Sequence, residues 1–468
     1  MDYKKIGFMA GLEIHQQLDT GKLFCRCPSY LRKDNPDFEV KRKLHPVPGE
    51  TGEIDIAAQF ESIKGKNFTY QGYNDSNCLV ELDEEPPREI NQEALDIAIQ
   101  ISLLLNCEII PVTQVMRKTV IDGSNTSGFQ RTVLIARDGF IDTSKGTVGI
   151  WYVYLEEDAA RTISEEKNDK TYRLDRLGVP MVEVVTAPDI HSAEHAKETA
   201  LKIGEMLRAC KVKRGIGTIR QDINISIKKS NRVEVKGFQE PRIMIKTIDN
   251  EINRQIKFVE KKELNPPEVR QALPGGKTKF LRPLPGGARM YPETDLPLLS
   301  ISREKINSIK KNLPKLKSEI KGELKNKGLT EELIALILKE SVIEEFQVLV
   351  SFYSRDANLI AKMLTLWRTD KEKLSCDVLE KILLALKNKE IEKEDIKEIM
   401  KKISRGSSVE SALKVEKTST DELKEEISKM IKSKPGLTPN AYMGIVMVKF
   451  KSKISPQKAM EIIREILG

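Results

Sequence analysis

Phe8-Met9-Ala10-Gly11-Leu12-Glu13-Ile14-His15 is the stretch on which the reading of this chain turns. Apolar and polar residues alternate over its last five positions, the pattern of a strand with one buried face. Leu12 and Ile14 point one way, Glu13 and His15 the other. A carboxylate and an imidazole side by side on a strand suit a pair of metal ligands or an acid/base pair. A solvated strand face gives the same pattern, so the pair alone does not choose between these readings.

Three later stretches repeat the arrangement. Trp151-Tyr152-Val153-Tyr154-Leu155-Glu156-Glu157-Asp158 is a strand running into three acids, and alternation puts Glu157 on the face of Val153 and Leu155. Pro180-Met181-Val182-Glu183-Val184-Val185 is an apolar strand interrupted by one acid. A carboxylate on an apolar face costs several kcal/mol unless it is paired or holds a cation. In Ile219-Arg220-Gln221-Asp222-Ile223-Asn224-Ile225-Ser226-Ile227 the isoleucines share one face, and Arg220, Asp222, Asn224 and Ser226 the other. Such a face is a recognition surface rather than a generic solvated one, where Lys and Glu dominate. Val233-Glu234-Val235-Lys236 continues as another alternating strand.

Between two strand-like runs lies Gly123-Ser124-Asn125-Thr126-Ser127-Gly128-Phe129-Gln130. A loop of small hydroxyl and amide residues with two glycines can bring N–H groups and hydroxyls against phosphate oxygens. It matches neither the P-loop nor the dinucleotide fingerprint, and a plain turn remains the alternative. Helices are expected from Asn91 to Asn106, capped by Asn91, from His191 to Cys210, capped by Ser192, and from Ile245 to Glu263. The Pro-, Gly- and Arg-rich stretch from Asn265 to Pro297 reads as a long, stiff loop, which is usually functional. Beyond Ser300 the pattern is helical and Lys-rich, with a hinge at Gly406-Ser407-Ser408.

These readings give an α+β chain in three parts: a sheet-rich, catalytic-looking domain over 1–295, an α-helical domain over 296–405, and a small helical tail over 406–468. A chain of 468 residues exceeds what one core ordinarily fills. No apolar run reaches the roughly 18 residues of a membrane span, and the N-terminus has no signal-peptide core, so a cytoplasmic protein without membrane contact is expected. Cys25-Arg26-Cys27 resembles half of a zinc site, yet the next forty residues add only His45, so no structural zinc is expected. The net charge of +8 sits wholly in residues 301–468, which hold 34 Lys and Arg against 26 Asp and Glu. A basic helical region beside a neutral body suits a polyanion such as RNA.

Taken together, the motifs resemble the B/E subunits of tRNA-dependent amidotransferases. The resemblance rests on Gly11 to His15, Leu155 to Asp158, Gly178 to Glu183, Arg220 to Ser226, Val233 to Lys236 and Tyr291-Pro292-Glu293-Thr294-Asp295-Leu296-Pro297. They come in family order along the whole chain. Ile121 to Gln130 and Arg282-Pro283-Leu284-Pro285-Gly286-Gly287-Ala288-Arg289 resemble the archaeal E branch. That branch ordinarily carries an inserted domain similar to part of bacterial aspartyl-tRNA synthetases; here the helix ending near Glu263 runs straight into Asn265.

The resemblance implies a ligase that uses ATP and Mg²⁺ to phosphorylate glutamate on tRNA(Gln), then replaces the phosphate with ammonia. The ammonia would come from an asparaginase-like D subunit, within a D2E2 assembly. It implies that Glu13, His15, Glu157 and Glu183 are catalytic metal ligands. Ser124, Asn125, Thr126, Ser127 and Gln130 would hold phosphates or the glutamyl group, and Arg220, Asp222 and Asn224 would orient substrate. Two alternatives are amide ligation on Asp-tRNA(Asn) and a non-catalytic tRNA-binding scaffold.

Overall fold

The computed structural model describes residues 1–48, 52–238, 241–284, 290–414, 420–450 and 456–467. Its strands, in chain order, are β1 (Met9–Gln17), β2 (Phe38–Arg42), β3 (Asn67–Gly72), β4 (Glu108–Ile109), β5 (Val112–Thr113), β6 (Val115–Thr119), β7 (Phe129–Thr143), β8 (Gly146–Glu157) and β9 (Arg161–Glu165). They continue with β10 (Asp169–Arg173), β11 (Pro180–Thr186), β12 (Ile219–Ser226), β13 (Val233–Phe238), β14 (Glu268–Ala272), β15 (Thr278–Pro283), β16 (Met290–Pro292) and β17 (Leu299–Ser300).

The large sheet runs β15-β14-β13-β12-β1-β11-β8-β7-β6-β16, with β4 added beside β7. The stretch read first, β1, lies in its middle, antiparallel to both β11 and β12. Strand alternation then sorts the side chains. Leu12, Ile14, Val153, Leu155, Val182, Val184, Ile223 and Ile225 are completely buried in one core. Helices α2 (Gln92–Leu104), α3 (Ala193–Ala209) and α4 (Pro241–Glu260) supply the rest of that core, so one sheet face is helix-covered and the other is left for polar groups. The α+β class expected from the sequence is what the chain adopts.

Two helix starts follow from their caps. The Asn91 side chain accepts from Ala94 N–H, and that of Ser192 from His195 N–H. The stretch from Asn265 to Pro297 differs from the expected loop. Its short runs pair at the two ends of the sheet: β14 parallel to β13, β15 on the edge beside β14, and β16 with β6 at the opposite edge. Proline is tolerated at such edges, and runs of three to six residues between prolines leave too little periodicity to read. Residues 285–289 of the Arg282–Arg289 motif lie outside the described residues.

The chain divides into two compact units, Met1–Leu316 and Lys317–Gly468. The first extends beyond position 295 because Leu296, Ile301 and Ile309 join the sheet core. In the second, no strand appears among the described residues; its helices enclose one cluster around Ile334, Phe346, Leu383 and Met400 and another around Ile427, Val446 and Ile463. Among the described residues no helix is long and apolar enough to cross a membrane.

One close approach inside the first unit has a measurable consequence. A Cβ on Gly139 would lie 2.3 Å from Cys107 Sγ and 2.6 Å from the Leu105 carbonyl oxygen. Because the second contact is backbone, Gly139→Ala is expected to destabilise by about 1–3 kcal/mol, as overpacking does. Urea denaturation checks this; an unchanged midpoint would contradict it.

Candidate active site on the sheet floor

The helix-free face of the sheet gathers charge in two adjoining groups, both seeded by β1. Register places His15 opposite Glu183 on one side and Arg220 on the other, and Glu13 opposite Asp222. Glu183 faces Tyr154 on β8, two residues from Glu156. The first group is His15, Glu156 and Glu183: His15 Nε2 stands 3.4 Å from Glu183 Oε2 and 3.8 Å from Glu156 Oε1. Lys118 reaches in from β6, its Nζ 3.1 Å from Glu156 Oε2 and 3.3 Å from Glu183 Oε2. The second is Glu13, Asp222 and Glu234, with Lys236 donating to Asp222 Oδ2 at 2.8 Å and Asn224 to Glu13 Oε1 at 2.9 Å.

Within each group the ligand atoms lie within 4.8 Å of one another, close enough for one cation to be shared. Their charges are tuned in opposite directions. Burial pushes Glu156 up, and the charge of Glu183 adds to that against Lys118. Burial acts on Glu183 too, but there Lys118 and the His15 hydrogen bond outweigh it and hold the carboxyl well below its usual range. Glu13 is raised by burial and by the charges of Glu183 and Glu234. For His15, burial lowers the pKa, yet the hydrogen bond and charge of Glu183 and the charge of Glu156 win and raise it. The floor thus holds Glu183 firmly ionised beside Glu156 and Glu13, which resist ionising, the arrangement a divalent cation relieves.

The four expected metal ligands do not come together as one group. His15 and Glu183 fall in the first group, Glu13 in the second and Glu157 in neither: its Oε2 accepts from Arg131 N–H at 3.3 Å and sits 3.5 Å from Arg131 Nη1. Glu156 occupies the floor position instead. Alternation does place Glu157 beside Val153 and Leu155, as expected, but that is the face away from the site. Burial of this acid goes with an ion pair to Arg131.

The loop from Ser124 to Ser127 also stands apart from the floor. Ser124 Oγ donates to Asp122 Oδ1 at 2.6 Å, Thr126 Oγ1 to the Glu81 carbonyl at 2.5 Å, and Ser127 Oγ to the Phe129 carbonyl at 3.0 Å. Asn125 and Thr126 are buried. Their polar groups hold the turn in shape and line a small cavity with Glu81, Arg131 and Glu157. Gln130 Nε2 donates to the Glu157 carbonyl at 2.6 Å, tying loop to strand. Of the remaining expected residues, Arg220 is pinned by Asp158 at 2.9 Å, Asp222 joins the second acidic group and Asn224 bonds Glu13.

Residues not expected from sequence are Glu156, Glu234, Lys118, Lys236 and Asp158. Glu234 and Lys236 had a signal, the period-2 alternation with Val233 and Val235, that shows the face but not what the face meets. Lys118 had none, since its neighbours across the sheet come from strands far apart in sequence.

The fold and this face define an α+β cradle whose floor gathers two acidic groups. The catalytic-domain profile described as "GatB/GatE catalytic domain" matches residues 8–307. The chain is 37% identical to the E subunit of the Glu-tRNA(Gln) amidotransferase of Methanocaldococcus jannaschii, covering 100% of this chain and 99% of the relative. It is 36% identical to the E subunit of Methanococcus maripaludis strain C5, covering 81% and 82%, and 33% identical to that of Methanosarcina acetivorans, covering 97% and 96%. The chain belongs to the GatB/GatE family of amidotransferase subunits. The match to the Methanocaldococcus relative extends over 626 positions, more than the 468 residues here, so the relative has sequence without a counterpart in this chain. That agrees with the short run from Glu260, the end of α4, to Asn265.

Proposed function

We propose that this chain is the kinase and transamidase subunit of an ATP-dependent amidotransferase that converts Glu-tRNA(Gln) to Gln-tRNA(Gln). In the first step a side-chain carboxylate oxygen of the tRNA-bound glutamate attacks the γ-phosphorus of ATP, and ADP leaves with the bond electrons. In the second, ammonia attacks the acyl carbon, inorganic phosphate departs and the nitrogen loses a proton. The observation that carries this reading is that the region matching the family's catalytic domain holds both acidic groups on its floor.

Mg²⁺ fits the donors present. Glu156 and Glu183 supply hard oxygens, and His15 presents Nε2 at 3.8 Å and 3.4 Å from them. Glu13, Asp222 and Glu234 offer a second set of oxygens. Bound there, Mg²⁺ would supply neutralisation of charge on the transferring phosphoryl group. The chain's own residues do the rest. Lys118 and Lys236 set the charge of the acids, Asn224 orients Glu13, and the Arg220–Asp158 pair fixes the rim of the floor. Rigid strands hold these groups in place before substrate arrives.

Ammonia would come from an asparaginase-like D subunit, with a D2E2 assembly as the working complex. The basic second unit, comprising the helical domain and tail, would hold the tRNA body through its phosphates, with affinity falling as salt rises. Recognition would be of shape and 2′-hydroxyls.

The test omits the partner. The purified chain is incubated with Glu-tRNA(Gln), ATP, Mg²⁺ and free ammonium, and Gln-tRNA(Gln) is quantified. Product is expected, and Glu183→Gln is expected to lower its rate by about 10²–10³-fold. Absence of product with bound tRNA, even after addition of a D subunit, would overturn the proposal.

A further inference from the structure

We propose that Tyr152 and Tyr154 on β8 form a stacking platform for an adenine ring, beside the acidic groups of the floor. This rests on the function proposed above, in which both substrates carry adenine: ATP, and the tRNA through its 3′-terminal adenosine.

Register fixes where the two rings stand. Tyr154 is opposite Glu183 on β11 and Leu134 on β7, and Tyr152 is opposite Val185 and Arg137. Opposed residues in a sheet share a face, and Glu183 faces the floor, so both tyrosines lie on the floor too. Glu183 is itself opposite His15, and Val185 opposite Glu13. Each row across the sheet therefore runs from an acidic group to a tyrosine: His15, Glu183 and Tyr154 in one, Glu13, Val185 and Tyr152 in the next. With strands about 4.8 Å apart, the tyrosines stand roughly 5–10 Å from the acids. A nucleotide spans a comparable length from its base to its outer phosphates.

The strand is built to turn these side chains onto the floor. In β8, Val148 and Ile150 lie in the core, and so do Val153 and Leu155. Strict alternation from Ile150 would send Tyr152 into the core and Val153 out of it. One extra residue, Trp151, breaks the phase: Val185 pairs with Tyr152, but Thr186 pairs with Ile150. β7 has a matching irregularity between Leu134 and Ala136, so the two strands stay paired. Bulges next to active sites re-aim side chains in this way.

The rings suit a flat aromatic ligand. Their centroids lie 5.7 Å apart with the planes at 42°, so a base stacked on one meets the edge of the other. Tyr152 is 40% exposed and Tyr154 half-buried, with half-buried Leu134 and Val185 beside them. Burial and the charge of Glu183 push the Tyr154 phenol up to about 12, so that ring stays neutral. Aromatic residues make up 5% of the chain, yet they hold three of the four positions from Trp151 to Tyr154. Exposed large rings gathered beside charged groups mark a binding surface rather than a solvated strand.

Equilibrium dialysis of the full chain with ATP, and separately with inorganic triphosphate, both with Mg²⁺, reads the stack without turnover. Tyr152→Ala is expected to weaken ATP binding about tenfold, the usual effect of losing one stacked ring, and triphosphate binding less than about twofold. Tyr152→Phe keeps the ring and is expected to bind both as the wild type does. If the base belongs to tRNA, ATP binding is unchanged and the tenfold loss appears with tRNA(Gln) instead, vanishing when its 3′-terminal adenosine is removed. Either pattern supports the platform and identifies its ligand. Equal binding of ATP and tRNA by wild type and Tyr152→Ala would overturn it, as would a loss that extends to triphosphate or that phenylalanine does not restore. A wild-type chain that binds neither ATP nor tRNA would overturn the proposed function, and the platform with it.

Discussion

Glu156→Gln is expected to slow ammonium-dependent formation of Gln-tRNA(Gln) by about 10²–10³-fold, whereas Glu157→Gln at the next position is expected to leave the rate within a few-fold. The two side chains leave β8 on opposite faces. Glu156 faces the floor, where it contacts Lys118 and lies beside His15 and Glu183. Glu157 faces the Arg131 side. Removing the charge at Glu156 deletes one oxygen donor of the first acidic group while keeping the shape of the side chain. It also relieves a buried acid whose pKa burial already raises, so the thermal midpoint is expected to hold or rise. A loss of rate without a loss of stability marks a functional group rather than a structural one. The measurement is the amidation rate of each variant beside its urea midpoint. If Glu157→Gln abolishes the reaction and Glu156→Gln spares it, the floor assignment is wrong and the motif-based choice of Glu157 stands.

That pair of residues also shows how far the sequence reached. Strand alternation around Leu12, Ile14, Val182 and Val184 was enough to give β1 and β11, the caps at Asn91 and Ser192 gave two helices, and the shared face of Glu13 and His15 followed from the same periodicity. Alternation says which residues share a face within one strand, but not which face of one strand continues onto the next. That depends on register between β1, β11 and β8, which no local pattern contains. Glu156 and Glu157 were therefore indistinguishable in kind, and the more anomalous of the two drew attention. The same limit hid Lys118, whose strand reaches the floor only after β7 and β8 form a long hairpin. The hydroxyl loop was visible as a turn; that its hydroxyls are spent on Asp122 and on the carbonyls of Glu81 and Phe129 is a fact of three dimensions.

Arg131→Met is expected to destabilise the first unit by about 3–5 kcal/mol. The Arg131 side chain is 5% exposed and is held between two acids: Nε donates to Glu293 Oε2 at 2.9 Å, and Nη1 stands 3.5 Å from Glu157 Oε2. Glu293, completely buried, also receives Arg117. Methionine fills much of the same volume but leaves Glu157 without its cation and Glu293 with one instead of two. A buried ion pair adds little compared with a well-packed apolar pair, because desolvation cancels much of the attraction. Removing one member is different, since the remaining carboxylate stays buried and unpaired. The sign with pH follows from the Glu293 shift. Burial alone would raise its pKa, but Arg117 and Arg131 and the Asp295 N–H overcome that and lower it. A carboxylate depressed by folding contributes stability above its unfolded pKa and loses it as pH falls through the folded value. Wild-type stability from this group is thus complete at neutral pH and declines on acidification below the ordinary glutamate value of 4.5. With one guanidinium gone the depression shrinks, so Arg131→Met is expected to lose less on acidification than the wild type and the two curves should converge at low pH. Urea titrations of both proteins from neutral to acidic pH give the comparison. A constant difference across that range would mean that Arg131 acts through packing against Phe24 and Phe129 rather than through its charge. A difference under about 1 kcal/mol at neutral pH would show that Arg117 alone suffices for Glu293, and that Glu157 tolerates burial without a partner.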